Sequence, residues 1–225
     1  MYEMATLDIV GHRGEQVPNP FFRQKKGSHH IAVVLPGFGY TCDMPLLYYS
    51  VLTVLDAGAD VLQVEYAYNR REDYRDLPDA ERERWLFADA TAACNAALSR
   101  DTYSLVTLIG KSIGTRAMGH LLTADVRLAC ARVVWLTPLL HNERLRTQMR
   151  QAGRPSLFVI GTDDPHYDTA LLAEVREASG GEAVVIQGGD HSLEIASNTL
   201  KSLDAMRQTI RALQALLANS ERSMA

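Results

Sequence analysis

Short apolar runs recur along the chain, with amphipathic stretches between them. Ile31 to Leu35 (IAVVL) stops at Pro36-Gly37. Asp60 to Tyr66 (DVLQVEY), Leu105 to Ile109 (LVTLI), Val133 to Leu136 (VVWL), Ser156 to Ile160 (SLFVI) and Ala183 to Ile186 (AVVI) follow. Each is short, mostly aliphatic and lacks polar alternation, which is the pattern of a strand covered on both faces. The intervening stretches read as helices. Leu86, Ala90, Ala93 and Ala97 are spaced 4, 3, 4, and Leu200, Leu203, Met206, Ile210, Leu213 and Leu217 are spaced 3, 3, 4, 3, 4. Both spacings predict one apolar stripe against a sheet. Strand alternating with helix implies βαβ units, an α/β fold and a mostly parallel sheet with helices on both faces. Right-handed crossovers then gather the strand C-termini at one edge, where ligands bind. Thr6 to Val10 (TLDIV) is expected as an antiparallel edge strand. The last residues, NSERSMA, read as a frayed tail.

Composition narrows this picture. A length of 225 residues suits one large core, so one domain over 1–225 is expected, with its core at about 31–217. Hydrophobic residues make up 47% and charged residues 22%, ordinary values for a globular chain. A net charge of −4 provides no pull toward nucleic acid or an anionic membrane, so neither is an expected partner. No run reaches the roughly eighteen apolar residues that span a bilayer. The first residues, MYEMATLDIVGHRGE, lack the basic and apolar regions of a secretory signal. Cys42, Cys94 and Cys130 form no CxxC pair, and an odd count suits the reducing cytosol. A cytoplasmic location without structural zinc is therefore expected. Asn69 to Arg84 is dense in both charges and reads as a solvated loop and exposed helix start, with a polar lid as the alternative.

The chemistry concentrates at strand ends. Leu105 to Ile109 runs into Gly110-Lys111-Ser112-Ile113-Gly114, a G-x-S-x-G turn followed by a helical stretch from Ile113 to Leu122. The glycines keep Cβ atoms out of a tight strand-to-helix turn, and Ser112, the candidate nucleophile, stands at its strained apex with its hydroxyl exposed. Two nucleotide motifs fail. A P-loop needs glycine where Leu105 stands, and a dinucleotide fingerprint opening at Gly37 needs glycine where Cys42 stands. Lys111 should point away from the line of attack, as a structural or surface-facing residue whose replacement by alanine changes activity less than about tenfold.

A tetrahedral intermediate needs donors for its oxygen. One is the amide after the nucleophile, that of Ile113, and the other comes from a loop after an earlier strand. In Leu35 to Tyr40 (LPGFGY) the candidate is the Phe38 amide, with Gly39 as runner-up. Tyr40, Tyr48 and Tyr49 either line an acyl pocket or pack the following helix. Further on, Ser156 to Ile160 ends in Gly161-Thr162-Asp163-Asp164-Pro165, and the next strand ends in Gly188-Gly189-Asp190-His191. An acid and then a histidine, each after a strand, complete a nucleophile–base–acid set. His29 and His30 look solvent-facing, and His12, His120, His141 and His166 have no matching strand-end position.

Four segments together, LPGFGY, IGKSIGT, GTDDP and GGDHSL, resemble the α/β-hydrolase superfamily, and within it the small branch of dienelactone-hydrolase-like proteins. The resemblance covers about residues 31 to 217. It implies an α/β-hydrolase fold without a large cap domain. It also implies a serine hydrolase acting on a small-molecule ester, thioester or related acyl substrate, with no cofactor or metal. In that family the acid stands three residues after a glycine and often precedes proline, which selects Asp164 over Asp163 as partner of His191. Pro36 stands where the family's oxyanion loop usually has histidine. Dienelactone hydrolases resemble a cysteine variant of the site, so their substrate does not carry over. A peptidase or acyltransferase would use the same residues, and a non-catalytic binding or scaffold protein is the rival from another class.

Overall fold

The apolar runs assemble into one sheet. A computed structural model describes residues 1–152 and 156–218, so the terminal NSERSMA lies outside the described residues. In chain order the elements are β1 (Tyr2–Ala5), β2 (Phe21–Gln24), β3 (His30–Leu35), α1 (Pro45–Asp56), β4 (Asp60–Gln63), α2 (Glu72–Arg75), α3 (Asp79–Leu98) and β5 (Leu105–Lys111). They continue with α4 (Ile113–Ala124), β6 (Arg132–Leu136), α5 (Glu143–Ala152), β7 (Ser156–Gly161), α6 (Thr169–Ser179), β8 (Glu182–Ile186) and α7 (Thr199–Ala218). The eight strands lie in the order β1-β2-β4-β3-β5-β6-β7-β8. β1 pairs antiparallel with β2, and β2 with β4. All other neighbours run parallel. This is an α/β-hydrolase fold with a mostly parallel sheet and, among the described residues, no large cap over the strand C-termini.

Alternate side chains of each central strand enter opposite cores. Ile31, Val33 and Leu35 join Trp135, Phe158 and residues of α3 and α4 on one face. Ala32 and Val34 join Val134, Val159 and residues of α1 and α7 on the other. Each fully buried aliphatic side chain contributes about 1.5–3 kcal/mol. β3, buried at every position, is therefore the spine of the sheet. From β3 the chain steps to β4 on one side and then returns to β5 on the other. Strand order reverses there, and a crevice opens at the C-terminal ends of β3 and β5. LPGFGY leaves the first of these ends and GKSIG the second.

Four expectations are corrected. Thr6–Val10 is not an edge strand, since β1 and β2 form that edge. Leu7 and Ile9 are buried, but their backbone bonds go to the Asn19 side chain and to Val17 rather than to a strand ladder. In α7 the buried stripe is Ala205, Thr209, Leu213 and Leu217, while Leu200 and Leu203 are exposed. Thr209 tolerates burial because its hydroxyl donates to the Ala205 carbonyl at 3.0 Å. His30 is buried rather than solvent-facing, and its Nε2 meets the Thr107 hydroxyl at 2.9 Å. Residues 69–84 are not simply solvated. Buried Tyr74 stacks on Tyr68 at 4.0 Å, and the Arg71 guanidinium lies 4.6 Å from the Trp85 ring. Among the described residues no helix is long and apolar enough to cross a membrane.

Candidate active site

Ser112 joins β5 to α4 with φ 53° and ψ −118°. That conformation is strained for a residue with a side chain and needs surrounding structure to hold it. Its N–H donates to Leu136 on β6 at 3.1 Å, and its carbonyl accepts from the Thr115 amide at 2.9 Å. A Cβ on Gly114 would overlap the Leu35 carbonyl, and one on Gly110 would lie 2.8 Å from the Gly114 carbonyl. Both glycines are therefore required by close backbone passage. Across the crevice the Gly37 amide donates to Tyr40 at 3.1 Å and closes the loop after β3. A Cβ on Gly37 would come within 3.5 Å of the Ser112 Cβ, so this loop directly faces the serine.

The two expected oxyanion donors flank that gap. Ile113 is the first residue of α4, where amides have no intrahelical acceptor and the helix dipole is positive. Among the described residues, no acceptor takes the Phe38 or the Ile113 amide. The Phe38 and Ile113 side chains, with Tyr74, Asp79, Arg82 and Arg116, border a cavity of about 240 Å³.

Asp164 and His191 meet. The buried Asp164 carboxylate lies 2.8 Å from His191 Nδ1 through one oxygen and accepts the His166 amide at 2.9 Å through the other. Burial works to raise the Asp164 pKa, but the bonds from His191 and the His166 backbone, with the imidazoles nearby, outweigh it and hold the carboxyl below its ordinary range. An ionised carboxylate only accepts, so in the neutral imidazole Nδ1 is the nitrogen that carries the proton and Nε2 the one with the lone pair. Asp163 is exposed, and its own hydroxyl contact is with Thr162.

The two loops are bound to each other. The Asp163 amide donates to Gly189 at 3.0 Å, and the Gly188 amide donates to the Thr162 hydroxyl at 2.8 Å. A Cβ on Gly161 would overlap the Gly189 carbonyl. Asp190 accepts the amides of Ser192 and Glu194 at 2.7 and 2.9 Å, a tight turn that presents His191.

The structure adds to the sequence reading at three places. Of its two expected placements, structural or surface-facing, Lys111 takes the first: it is fully buried, and its ammonium donates to the His191 carbonyl at 3.0 Å. The His166 ring packs edge-on to His191 with centroids 5.5 Å apart, and His141 lies 6.2 Å from His166. A residue two places after the acid in a turn naturally falls beside the acid's partner, which is the signal that His166 carried. The tyrosines divide. Tyr40 is buried, with its hydroxyl accepting the Leu46 amide at the start of α1, and Tyr48 is exposed. Tyr49 lines a cavity of about 520 Å³ with Tyr40, Asp163 and Met206. Another cavity, about 370 Å³, is lined by His29, His30, Leu105 and Arg132, at the strand N-termini and far from this crevice. Among the described residues no group of three His, Cys, Asp or Glu side chains is placed to hold a metal.

Comparison with known proteins agrees with the architecture. A family model described as an alpha/beta hydrolase domain matches residues 30–218. Est1E from Butyrivibrio proteoclasticus, solved with ferulic acid bound, superposes with a TM-score of 0.73 at 12% identity, covering 97% of this chain and 98% of that one. The Pyrococcus furiosus esterase Pf2001 gives 0.69 at 13% identity, covering 96% and 94%. An alpha-beta serine hydrolase homologue from Coxiella burnetii gives 0.68 at 16% identity, covering 96% and 97%. No curated protein matches in sequence.

Proposed function

The chain belongs to the α/β-hydrolase family, and on that premise we propose that it is a serine hydrolase cleaving an ester, thioester or related acyl substrate through an acyl-enzyme. The observation that carries this reading is the 2.8 Å bond between Asp164 and His191 Nδ1, at the sheet edge where Ser112 holds its strained turn. A serine hydroxyl is a poor nucleophile unless a neutral imidazole takes its proton. With Nδ1–H pointed at Asp164, the lone pair on Nε2 is the base.

In the proposed reaction the Ser112 oxygen attacks the acyl carbon and His191 takes the hydroxyl proton. The carbonyl oxygen becomes an oxyanion held by the Phe38 and Ile113 amides, each worth about 10²–10³ in rate by analogy with other oxyanion donors. His191 then gives its proton to the leaving group, and Asp164 stabilises the imidazolium meanwhile. Water, activated by the same imidazole, releases the acid and restores Ser112. The site needs no cofactor for these steps. The cavity beside Phe38 and Ile113 is small, which suits compact or flexible acyl groups. Est1E holds ferulic acid, so aryl esters belong in the first substrate panel beside short aliphatic esters and thioesters.

The test is labelling by a fluorophosphonate. The expected result is one adduct, mapped to Ser112 and absent from Ser112→Ala. A folded wild-type protein that takes no label, or a Ser112→Ala protein that labels normally, removes Ser112 from the mechanism and returns the scaffold reading.

A further inference from the structure

Lys111 is a buried cation one residue before the proposed nucleophile, and the mechanism above gives it no task. Resting on that reading of the site, we propose that Lys111 is a positioning residue. Its ammonium, seated between the His191 carbonyl and the Tyr40 ring, locks the histidine loop and the oxyanion loop to the turn that carries Ser112.

The geometry is a three-way tie. Lys111 leaves the end of β5 and is 1% exposed. Its Nζ donates to the His191 carbonyl at 3.0 Å and lies 4.3 Å from the centre of the Tyr40 ring. Tyr40 closes the oxyanion loop, since its carbonyl accepts the Gly37 amide. The bond to His191 is to that residue's own backbone, so it sets the peptide from which the imidazole projects. No described carboxylate lies within ion-pair distance of Nζ. A buried charge without a paired carboxylate is costly, and an apolar side chain of similar volume would serve stability better. A cation retained there is better explained by the two loops it holds. A misplacement of about 1 Å at a reacting group costs about 10²-fold in rate.

The groups facing Lys111 are Tyr40 from the oxyanion loop, Asp164 from the acid loop, and Asp190 and His191 from the histidine loop. Burial pulls the ammonium down to about 8, against the opposing pull of Asp164 and Asp190. Losing that proton weakens a charge-assisted bond and abolishes the attraction to the Tyr40 ring. The rate of Ser112 labelling should therefore fall as pH rises through about 8.

The experiment compares fluorophosphonate labelling rate and ester kinetics for wild type, Lys111→Met and Asp190→Asn across pH, with thermal melts alongside. In Lys111→Met, kcat and the labelling rate should drop about 10²-fold, not the less than tenfold expected of a residue without contacts to the site, with KM changed less than about threefold, and the alkaline limb should vanish. A folded Lys111→Met protein that labels at the wild-type rate, or keeps the alkaline limb, overturns the proposal. Should Lys111→Met not fold, Asp190→Asn decides. It keeps the oxygen that accepts the Ser192 and Glu194 amides but removes a charge that sustains the ammonium. Its alkaline limb should move to lower pH, and an unmoved limb overturns the proposal. A wild-type protein unlabelled at Ser112 is a different failure, because the nucleophile reading goes first and this one falls with it.

Discussion

Asp163 and Asp164 are chemically identical neighbours in one turn, yet only one is buried against a histidine. Pro165 biases the residue before it toward extended backbone, and the Asp164 side chain turns inward while Asp163 stays in solvent. This asymmetry makes a sharp test. Asp164→Asn places an amide where a carboxylate holds Nδ1–H, so the imidazole can flip tautomer and lose its basic Nε2. The expected loss is about 10⁴ in kcat. Asp163→Asn should stay within a few-fold of wild type, because its side chain does not approach His191. Steady-state hydrolysis of an activated ester by both variants decides it, and a dead Asp163→Asn beside a healthy Asp164→Asn would exchange the two roles. At this scale the sequence was informative wherever a residue's place was tied to a strand end. It was silent where placement came from a distant segment. Lys111 meets a carbonyl 80 residues away, and nothing local to GKSIG announces that contact.

Elements position the site through backbone contact that leaves no room for side chains. Gly114, at the start of α4, passes the Leu35 carbonyl at the end of β3, and Gly161, at the end of β7, passes Gly189 in the histidine loop. Each glycine joins two loops of the site. Gly114→Ala should therefore push α4 away from the oxyanion loop. The clash is with backbone, which cannot rotate aside, so the destabilisation should be at least about 1–3 kcal/mol, the scale of overpacking. Labelling at Ser112 should slow even in the surviving folded fraction. Urea unfolding with labelling at matched folded fractions measures both, and an unchanged midpoint with normal labelling would show that the two backbones have slack. The apolar runs predicted six strands to within a few residues, because the central strands β3 to β7 are buried on both faces and have little choice of composition, and even half-buried β8 keeps its AVVI run. The edge was harder to read. β1 is exposed throughout, so burial leaves no periodic mark in its sequence. The α7 stripe failed for a related reason. Leu203 lies over a wide cavity rather than on the sheet, and the inward positions include Ala205 and Thr209, which no apolar pattern selects.

The proposed site and the buried His30 stand at opposite ends of the strands. Ser112, Asp164 and His191 follow strand C-termini, whereas His30 opens β3 at the opposite edge, beside Thr107 on β5. Burial, with positive charge from Arg132 and His29, pulls the His30 pKa from 6.5 to about 4. Folding thus favours its neutral form. The unfolded chain takes up this proton near pH 6.5, while the folded chain resists until about 4. Stability from His30 is complete above pH 6.5 and is lost as pH falls toward 4. A shift of this size amounts to about 3 kcal/mol by pH 4. Other groups also titrate on acidification, so the useful quantity is a difference between two proteins. His30→Gln keeps a side chain able to bond Thr107 but takes up no proton. The stability advantage of wild type over His30→Gln should shrink by about 3 kcal/mol between pH 7 and pH 4. Labelling at Ser112 should be the same in both at pH 7, because His30 lies at the far end of the strands. Denaturant titrations of both proteins at several pH values measure the gap. Two curves that stay parallel would mean that the imidazole gains its proton in the folded state as easily as in the unfolded one.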